Sequence, residues 1–218
     1  KEVLQANLFV QPGQPFSQQY VTFSEDAIKS LLSSQGYAFA EVTTIPELDS
    51  ETHEVALTFF VSPMNRAYVR RVTFTGAESS NDEIFRREVR QLEGATLTNE
   101  LLQVSEERIR RLPYVEEVSY ETTPVVGSLD LVDVEFEIKE GLPGSMGGSI
   151  GYSDAQGIVL GGDFVHSNFL GTGNRVQFNL NGGEYYKVYS MSFTEPYRNM
   201  NGISRQIALQ YQDITQFS

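Results

Sequence analysis

Between Asp130 and Lys139, the apolar residues Val132, Val134, Phe136 and Ile138 alternate with Asp133, Glu135, Glu137 and Lys139. Strict period-two alternation predicts a strand with one buried and one solvated face. His53 to Val61 repeats the pattern, with Val55, Leu57, Phe59 and Val61 on the apolar face. Tyr37–Thr44, Tyr68–Thr75 and Val115–Thr122 also read as strands, and Asp49-Ser50-Glu51 reads as a turn. Helical periodicity lies between them. Ser24-Glu25-Asp26 predicts a helix start, with Ile28, Leu31 and Leu32 on one face and Gly36 as its C-terminal stop. Ser80 and Glu83 fit a capping box for a helix reaching about Leu92, with Phe85, Val89 and Leu92 on its stripe and Gly94 behind it. Thr98 is placed to cap a further helix bearing Leu101, Leu102, Ile109 and Leu112, which Pro113 ends.

Two successive segments share one order of elements. Leu112-Pro113-Tyr114 through Val118 aligns with Gln35-Gly36-Tyr37 through Val42, and the last alternating strands align as well. This repetition predicts two copies of an α+β unit, β-α-α-β-β, with helices packed on one sheet face. The copies span 1–64 and 65–141. The first lacks a counterpart of Tyr68–Thr75, so the chain is expected to begin inside a domain.

From Gly141 onward glycine and aromatics rise while charge falls. Five strands are predicted in 142–218: Ser145–Tyr152, Ile158–His166, Arg175–Asn181, Tyr185–Thr194 and Ile203–Asp213. Val176, Phe178 and Leu180 share one face, and Arg175, Gln177, Asn179 and Asn181 the other. Ile207, Leu209 and Tyr211 alternate with Gln206, Ala208 and Gln210 in the same way. An apolar, aromatic face opposite one of Gly, Ser, Asn and Gln is what a transmembrane β-barrel needs, with lipid outside and water inside. Closing a barrel takes at least about eight strands, so this is read as a partial barrel. The first strand, Met146-Gly147-Gly148-Ser149-Ile150-Gly151, has few side chains, which leaves its pairing weakly specified.

Charge and composition narrow the function classes. The net charge of −13 disfavours nucleic acid, which wants clustered Lys and Arg. The absence of cysteine removes disulfides, thiolate metal sites and Cys nucleophiles. No apolar run of about eighteen residues exists to form a transmembrane helix, and Lys1-Glu2-Val3-Leu4 has no signal-peptide layout.

Several ordered segments resemble a known family. They are Tyr68–Gly76, Arg86–Gly94, Arg110–Val115, Asn168-Phe169-Leu170-Gly171-Thr172-Gly173 and Thr194-Glu195-Pro196-Tyr197. Together they resemble the BamA family of bacterial outer-membrane barrel-assembly proteins. On that resemblance, 1–64 and 65–141 are the last two POTRA (polypeptide-transport-associated) domains, and 142–218 holds the first barrel strands. The resemblance implies a non-enzymatic subunit, with no cofactor, that folds and inserts β-barrel proteins into the outer membrane. Its POTRA domains would lie in the periplasm, its strands would meet outer-membrane lipid, and its clients would be unfolded outer-membrane proteins. It implies docking of lipoprotein subunits, BamD in particular, by a helix bearing Arg86, Arg87, Arg90 and Glu93. It also places a client strand-pairing edge at Met146, Gly147, Gly148, Ser149, Ile150 and Gly151. An unpaired edge presents N–H and C=O groups that can pair with another strand whatever its sequence.

Other readings of single residues are weaker. His53 and His166 are the only histidines and fall in different parts of the chain, so they make no convincing metal pair. Asp133, Glu135 and Glu137 read as a solvated strand face rather than a catalytic set. Gly171-Thr172-Gly173 is followed by no helix, which argues against a phosphate loop. Tyr185, Tyr186, Tyr189 and Tyr197 read as an interfacial aromatic girdle. The main alternative function is a two-partner secretion transporter, which also joins POTRA domains to a barrel. A barrel hydrolase would need a nucleophile–base pair that two distant histidines do not supply.

Overall fold

The structure, a computed structural model, describes residues 8–50, 53–154, 157–199 and 201–215. Lys1 to Leu4 and Glu51, read above, lie outside them. The described residues form three sheets: β1 (Glu41–Asp49) with β2 (Glu54–Ser62); β3 (Tyr68–Thr75), β4 (Val115–Pro124) and β5 (Leu131–Glu140) in spatial order β3-β5-β4; and β6 to β10. Three helices accompany them: α1 (Gln18–Ser34), α2 (Asp82–Arg86) and α3 (Asn99–Arg110). The chain divides into two compact units, 1–73 with 89–107 and 120–136, and 74–88 with 108–119 and 137–218.

In the first unit α1 starts six residues before the predicted Ser24. Ser24 is instead a fully buried interior residue whose hydroxyl donates to the Tyr20 carbonyl (2.8 Å) and accepts from the Phe9 N–H (2.9 Å). That i−4 bond lets a cap-type residue sit inside a helix. The C-terminal stop at Gly36 is as expected. Gly36 has φ +93°, its N–H reaches the Ser33 carbonyl, and the Tyr37 N–H reaches that of Leu32. This pair of bonds is a Schellman closure. Because Tyr37 and Ala40 spend their N–H groups on turn bonds, β1 begins at Glu41 rather than Tyr37. β1 and β2 pair throughout, from Glu41↔Ser62 to Asp49↔Glu54. Ile28, Leu32 and Val42 are buried against Phe59 and Val61, so the apolar face of β2 points inward but is only half covered.

The alternation of β5 is realised almost fully: Val132, Val134, Phe136 and Ile138 are at most 2% exposed. Burying such side chains contributes about 1.5–3 kcal/mol each. The helix expected from Ser80 to Leu92 is a correction. α2 stops at Arg86, its N-cap is Asn81 rather than Ser80, and Leu92 is exposed. Beyond it the backbone is held by side chains. The Arg90 N–H donates to the Ser105 hydroxyl (2.8 Å). Buried Gln91 donates to the Thr96 carbonyl (3.0 Å) and accepts from the Thr98 N–H (3.0 Å). These bonds replace the helical ladder.

In the second unit β6 (Gly144–Ser153), β7 (Gly157–Phe169), β8 (Asn174–Gly182), β9 (Tyr186–Glu195) and β10 (Arg205–Ile214) form an antiparallel meander in the order β10-β9-β8-β7-β6. The register sets Met146 beside Phe164, Phe164 beside Phe178, Phe178 beside Met191 and Met191 beside Leu209. One face is therefore continuously apolar. On the other, Gly147 meets Asp163, Asp163 meets Asn179, and Asn179 meets Ser190. Val176 is buried, whereas Leu180 is half exposed and Leu209 is 69% exposed. The apolar face is not folded into a core of its own, and transmembrane strands have this two-faced layout.

Candidate strand-pairing edge and docking segment

Among the described residues, β6 is bonded to β7 alone. Its middle has little cross-strand support. Gly148 stands opposite Gly162 and Ser149 opposite Gly161, so the side-chain pairs that normally stabilise a ladder are missing. The glycines are also fitted to their neighbours. A β-carbon at Gly147 would lie 2.6 Å from Asp163 Oδ1, and one at Gly161 would lie 2.4 Å from Ser149 Oγ. Met146 and Ile150 project from the apolar face and are 83% and 77% exposed. β10, last in the described order, carries Ile207, Leu209 and Tyr211 paired with Phe193, Met191 and Tyr189. Tyr189 and Tyr211 stack at 6.2 Å. The two strands thus differ in their middles: Gly147 to Ser149 offers little but backbone, whereas Ile207, Leu209 and Tyr211 set a large side chain at every second position.

The four predicted docking residues do not share one helix. Arg86 is in α2, pairs with Asp82 one turn back (2.7 Å) and lies 5.3 Å over the Phe74 ring. Arg87 is the C-cap of α2. Arg90 and Glu93 fall in the other compact unit, in the irregular stretch. There a Glu93 carboxylate oxygen accepts the Val72 N–H at 2.8 Å. Val72 belongs to β3, an edge strand of its sheet. Glu93 is therefore committed in part to an edge-strand backbone donor.

The turns after β7 and β9 both reach α2. Asn168 is 4% exposed; its amide donates to the Ser80 hydroxyl (2.6 Å), and its side-chain oxygen accepts the Gly173 N–H (2.8 Å). The Asn81 N–H donates to the Gly171 carbonyl (2.9 Å). Gly171 and Gly173 have φ +69° and +73°, and β-carbons there would lie 2.4 Å from the Ser79 carbonyl oxygen and 2.6 Å from Arg87 Nη2. Arg87 stacks over the ring of Tyr197 at 4.3 Å. Tyr197, read from the sequence as part of an aromatic girdle, is thus engaged with Arg87. Beside this stack, nearly buried Glu88 pairs with Arg108 (2.7 Å). Burial and the Glu88 carboxylate push the Tyr197 hydroxyl above its ordinary value. Burial pushes the Tyr114 hydroxyl up to about 12 against the opposing pull of the Arg87 cation.

Asn168–Gly173 and Thr194–Tyr197 stand out in the sequence as motifs, but only the structure shows what they touch. The available signal was the pair of glycines around Thr172, which demanded a positive-φ turn. The histidines have local roles: His53 takes φ +56° at the β1–β2 turn, and His166 packs against Phe164 and Phe169.

Tandem α+β repeats leading into an open, two-faced antiparallel sheet define an outer-membrane barrel protein with periplasmic-type repeats. The family model for the surface antigen variable number repeat, POTRA, matches residues 1–64 and 67–141, and that for the Omp85 superfamily domain matches 168–218. The chain belongs to the POTRA family, and its last part is similar to the Omp85 superfamily domain. It is 31% identical over 204 residues, 94% of its length, to the outer membrane protein assembly factor BamA of Neisseria meningitidis serogroup B. It is 24% identical over 204 residues to BamA of Buchnera aphidicola. The chain spans 26% and 33% of those two relatives. Among solved structures, BamA from Haemophilus ducreyi lacking POTRA domains 1–3 superposes with a TM-score of 0.86 at 31% identity, covering 97% of this chain and 40% of that one.

Proposed function

We propose that this chain is the part of a barrel-assembly subunit that docks partners and receives client strands at the bacterial outer membrane. The repeats lie in the periplasm, the strands of the meander face lipid on their apolar side, and no catalytic step is involved. The observation that carries this reading is β6. Among the described strands it bonds to β7 alone, and from Gly147 to Ser149 it offers little but backbone. In hydrocarbon, unpaired N–H and C=O groups are costly, so such an edge favours pairing with any incoming strand. Met146, Gly147, Gly148, Ser149, Ile150 and Gly151 make that contact, and unfolded outer-membrane proteins are the clients.

A BamD-like lipoprotein is the proposed partner of the segment holding Arg86, Arg87, Arg90 and Glu93. The exposed Arg86–Asp82 pair supports this, because a guanidinium can form bidentate bonds with a partner carboxylate. The likeness to assembly factors over 94% of the chain favours this reading over a two-partner secretion transporter.

Reconstitution tests it. Full-length protein with its lipoproteins in liposomes should accelerate conversion of an unfolded eight-stranded outer-membrane protein to its heat-modifiable folded form. A folding rate equal to that of empty liposomes would refute the assembly reading.

A further inference from the structure

We propose that Arg87 belongs to an internal latch rather than to the docking surface, and that with Tyr197 it holds α2 against the turns at one end of the β6–β10 sheet. This inference concerns the segment to which docking is assigned above, but its geometry does not depend on that reading. Two turns well separated in sequence converge on a five-residue helix. The β7–β8 turn does so through backbone and amide bonds: Asn168 to Ser80, and Asn81 to the Gly171 carbonyl. The β9–β10 turn does so through Tyr197, whose ring lies under the Arg87 guanidinium at 4.3 Å.

The chemistry of the two anchors is independent. Asn168 is 4% exposed, and Arg87 and Tyr197 are half-buried, with buried Tyr114 beside them. A partly desolvated cation over an aromatic face holds more strongly than an exposed one. The buried Glu88, paired with Arg108, supplies negative charge beside the same stack. Gly173 brings the β7–β8 turn into reach of Arg87 Nη2, so the guanidinium touches both turns at once. Arg86, one residue earlier, points to a different partner set, Asp82 and Phe74. Adjacent arginines on one helix turn thus divide the work. Arg86 stays on an exposed face and Arg87 fastens the helix to the strand ends. Through this joint, a load applied to α2 passes to β7, β8 and β9.

Distance measurement by pulsed electron resonance on the full-length protein tests the latch, with spin labels at Glu117→Cys and Gln210→Cys. The wild-type latch should give one narrow distance distribution. Tyr197→Leu should broaden it or add a second population, whereas Tyr197→Phe, which keeps the ring, should leave it narrow. Co-purification of the lipoprotein should be unchanged in Tyr197→Leu. Asn168→Ala cuts the other anchor and should broaden the distribution on its own, which keeps the test open if Tyr197→Leu fails to assemble. A narrow, unshifted distribution in both variants would overturn the latch. Loss of lipoprotein binding in Tyr197→Leu with distances unchanged would also overturn it, and would return Arg87 to the docking surface.

Discussion

Gly173 passes so close to Arg87 that a β-carbon on the glycine would stand 2.6 Å from the guanidinium nitrogen Nη2. The same carbon would lie 3.1 Å from the Tyr114 hydroxyl, and the residue has φ +73°. Gly173→Ala therefore combines a left-handed backbone strain of about 1–2 kcal/mol with displacement of Arg87 from its stack. Gly182→Ala serves as the comparison, since nothing lies within 4 Å of its added carbon and its φ is not positive. Urea unfolding of the two variants should show a loss of about 2 kcal/mol or more for Gly173→Ala, and a markedly smaller one for Gly182→Ala.

Glu93 has two separable properties, a negative charge and an acceptor for the Val72 N–H. Glu93→Gln keeps an acceptor oxygen and removes the charge. Glu93→Lys removes both and loses the bond to the Val72 N–H, at about 1 kcal/mol. We expect Glu93→Gln to retain wild-type unfolding while weakening lipoprotein binding by about tenfold, a difference of about 1.4 kcal/mol. Glu93→Lys should lose both stability and binding. Titration calorimetry alongside thermal melts separates the two effects.

Adjacent residues of a strand aim their N–H groups to opposite sides, so Ser149 and Ile150 divide between the β7 ladder and the open edge. Proline removes one such donor, worth about 1 kcal/mol in a paired ladder. One of Ser149→Pro and Ile150→Pro should damage β6–β7 pairing and lower assembly of the protein itself. The other should spare assembly and reduce client insertion. Heat-modifiability of the protein, measured beside client folding rate, distinguishes them.

Alkaline stability follows from Tyr114, whose hydroxyl is pushed up to about 12 from an ordinary 10. The folded state holds the proton more tightly than the unfolded chain. Its contribution is fully present below pH 10 and is lost as pH rises toward 12, by about 2 kcal/mol. Tyr114→Phe has no proton to lose, so its stability should decline less between pH 10 and 12. Urea midpoints across that range give the comparison.

Regular alternation was the most legible part of the sequence. In β5 the period-two pattern matched burial residue by residue, because one face meets a core and the other meets water. In β6 to β10 the same pattern gave strands within a few residues of their ends, because lipid and lumen impose an equally sharp contrast. Helix limits were less legible. The apolar spacing of Phe85, Val89 and Leu92 suggested three turns, but the bonds from Ser105 and Gln91 that end the helix come from residues whose partners no local pattern shows. Ser24 misled for a related reason: the same hydroxyl can cap a helix or bond back within one. The docking and pairing residues followed from likeness to a family. The latch did not, since Asn168 and Tyr197 acquire their roles only when distant turns meet α2.

The most direct test of strand capture at β6 is disulfide crosslinking in the outer membrane. Since this chain contains no cysteine, Ser149→Cys in the full-length protein can be paired with single cysteines walked along the terminal strand of a stalled client. Capture at this edge predicts crosslinks at one client position and its neighbours in a fixed antiparallel or parallel register, and none from Leu209→Cys on β10. Crosslinks confined to Leu209→Cys, or absent from Ser149→Cys at every client position, would contradict it.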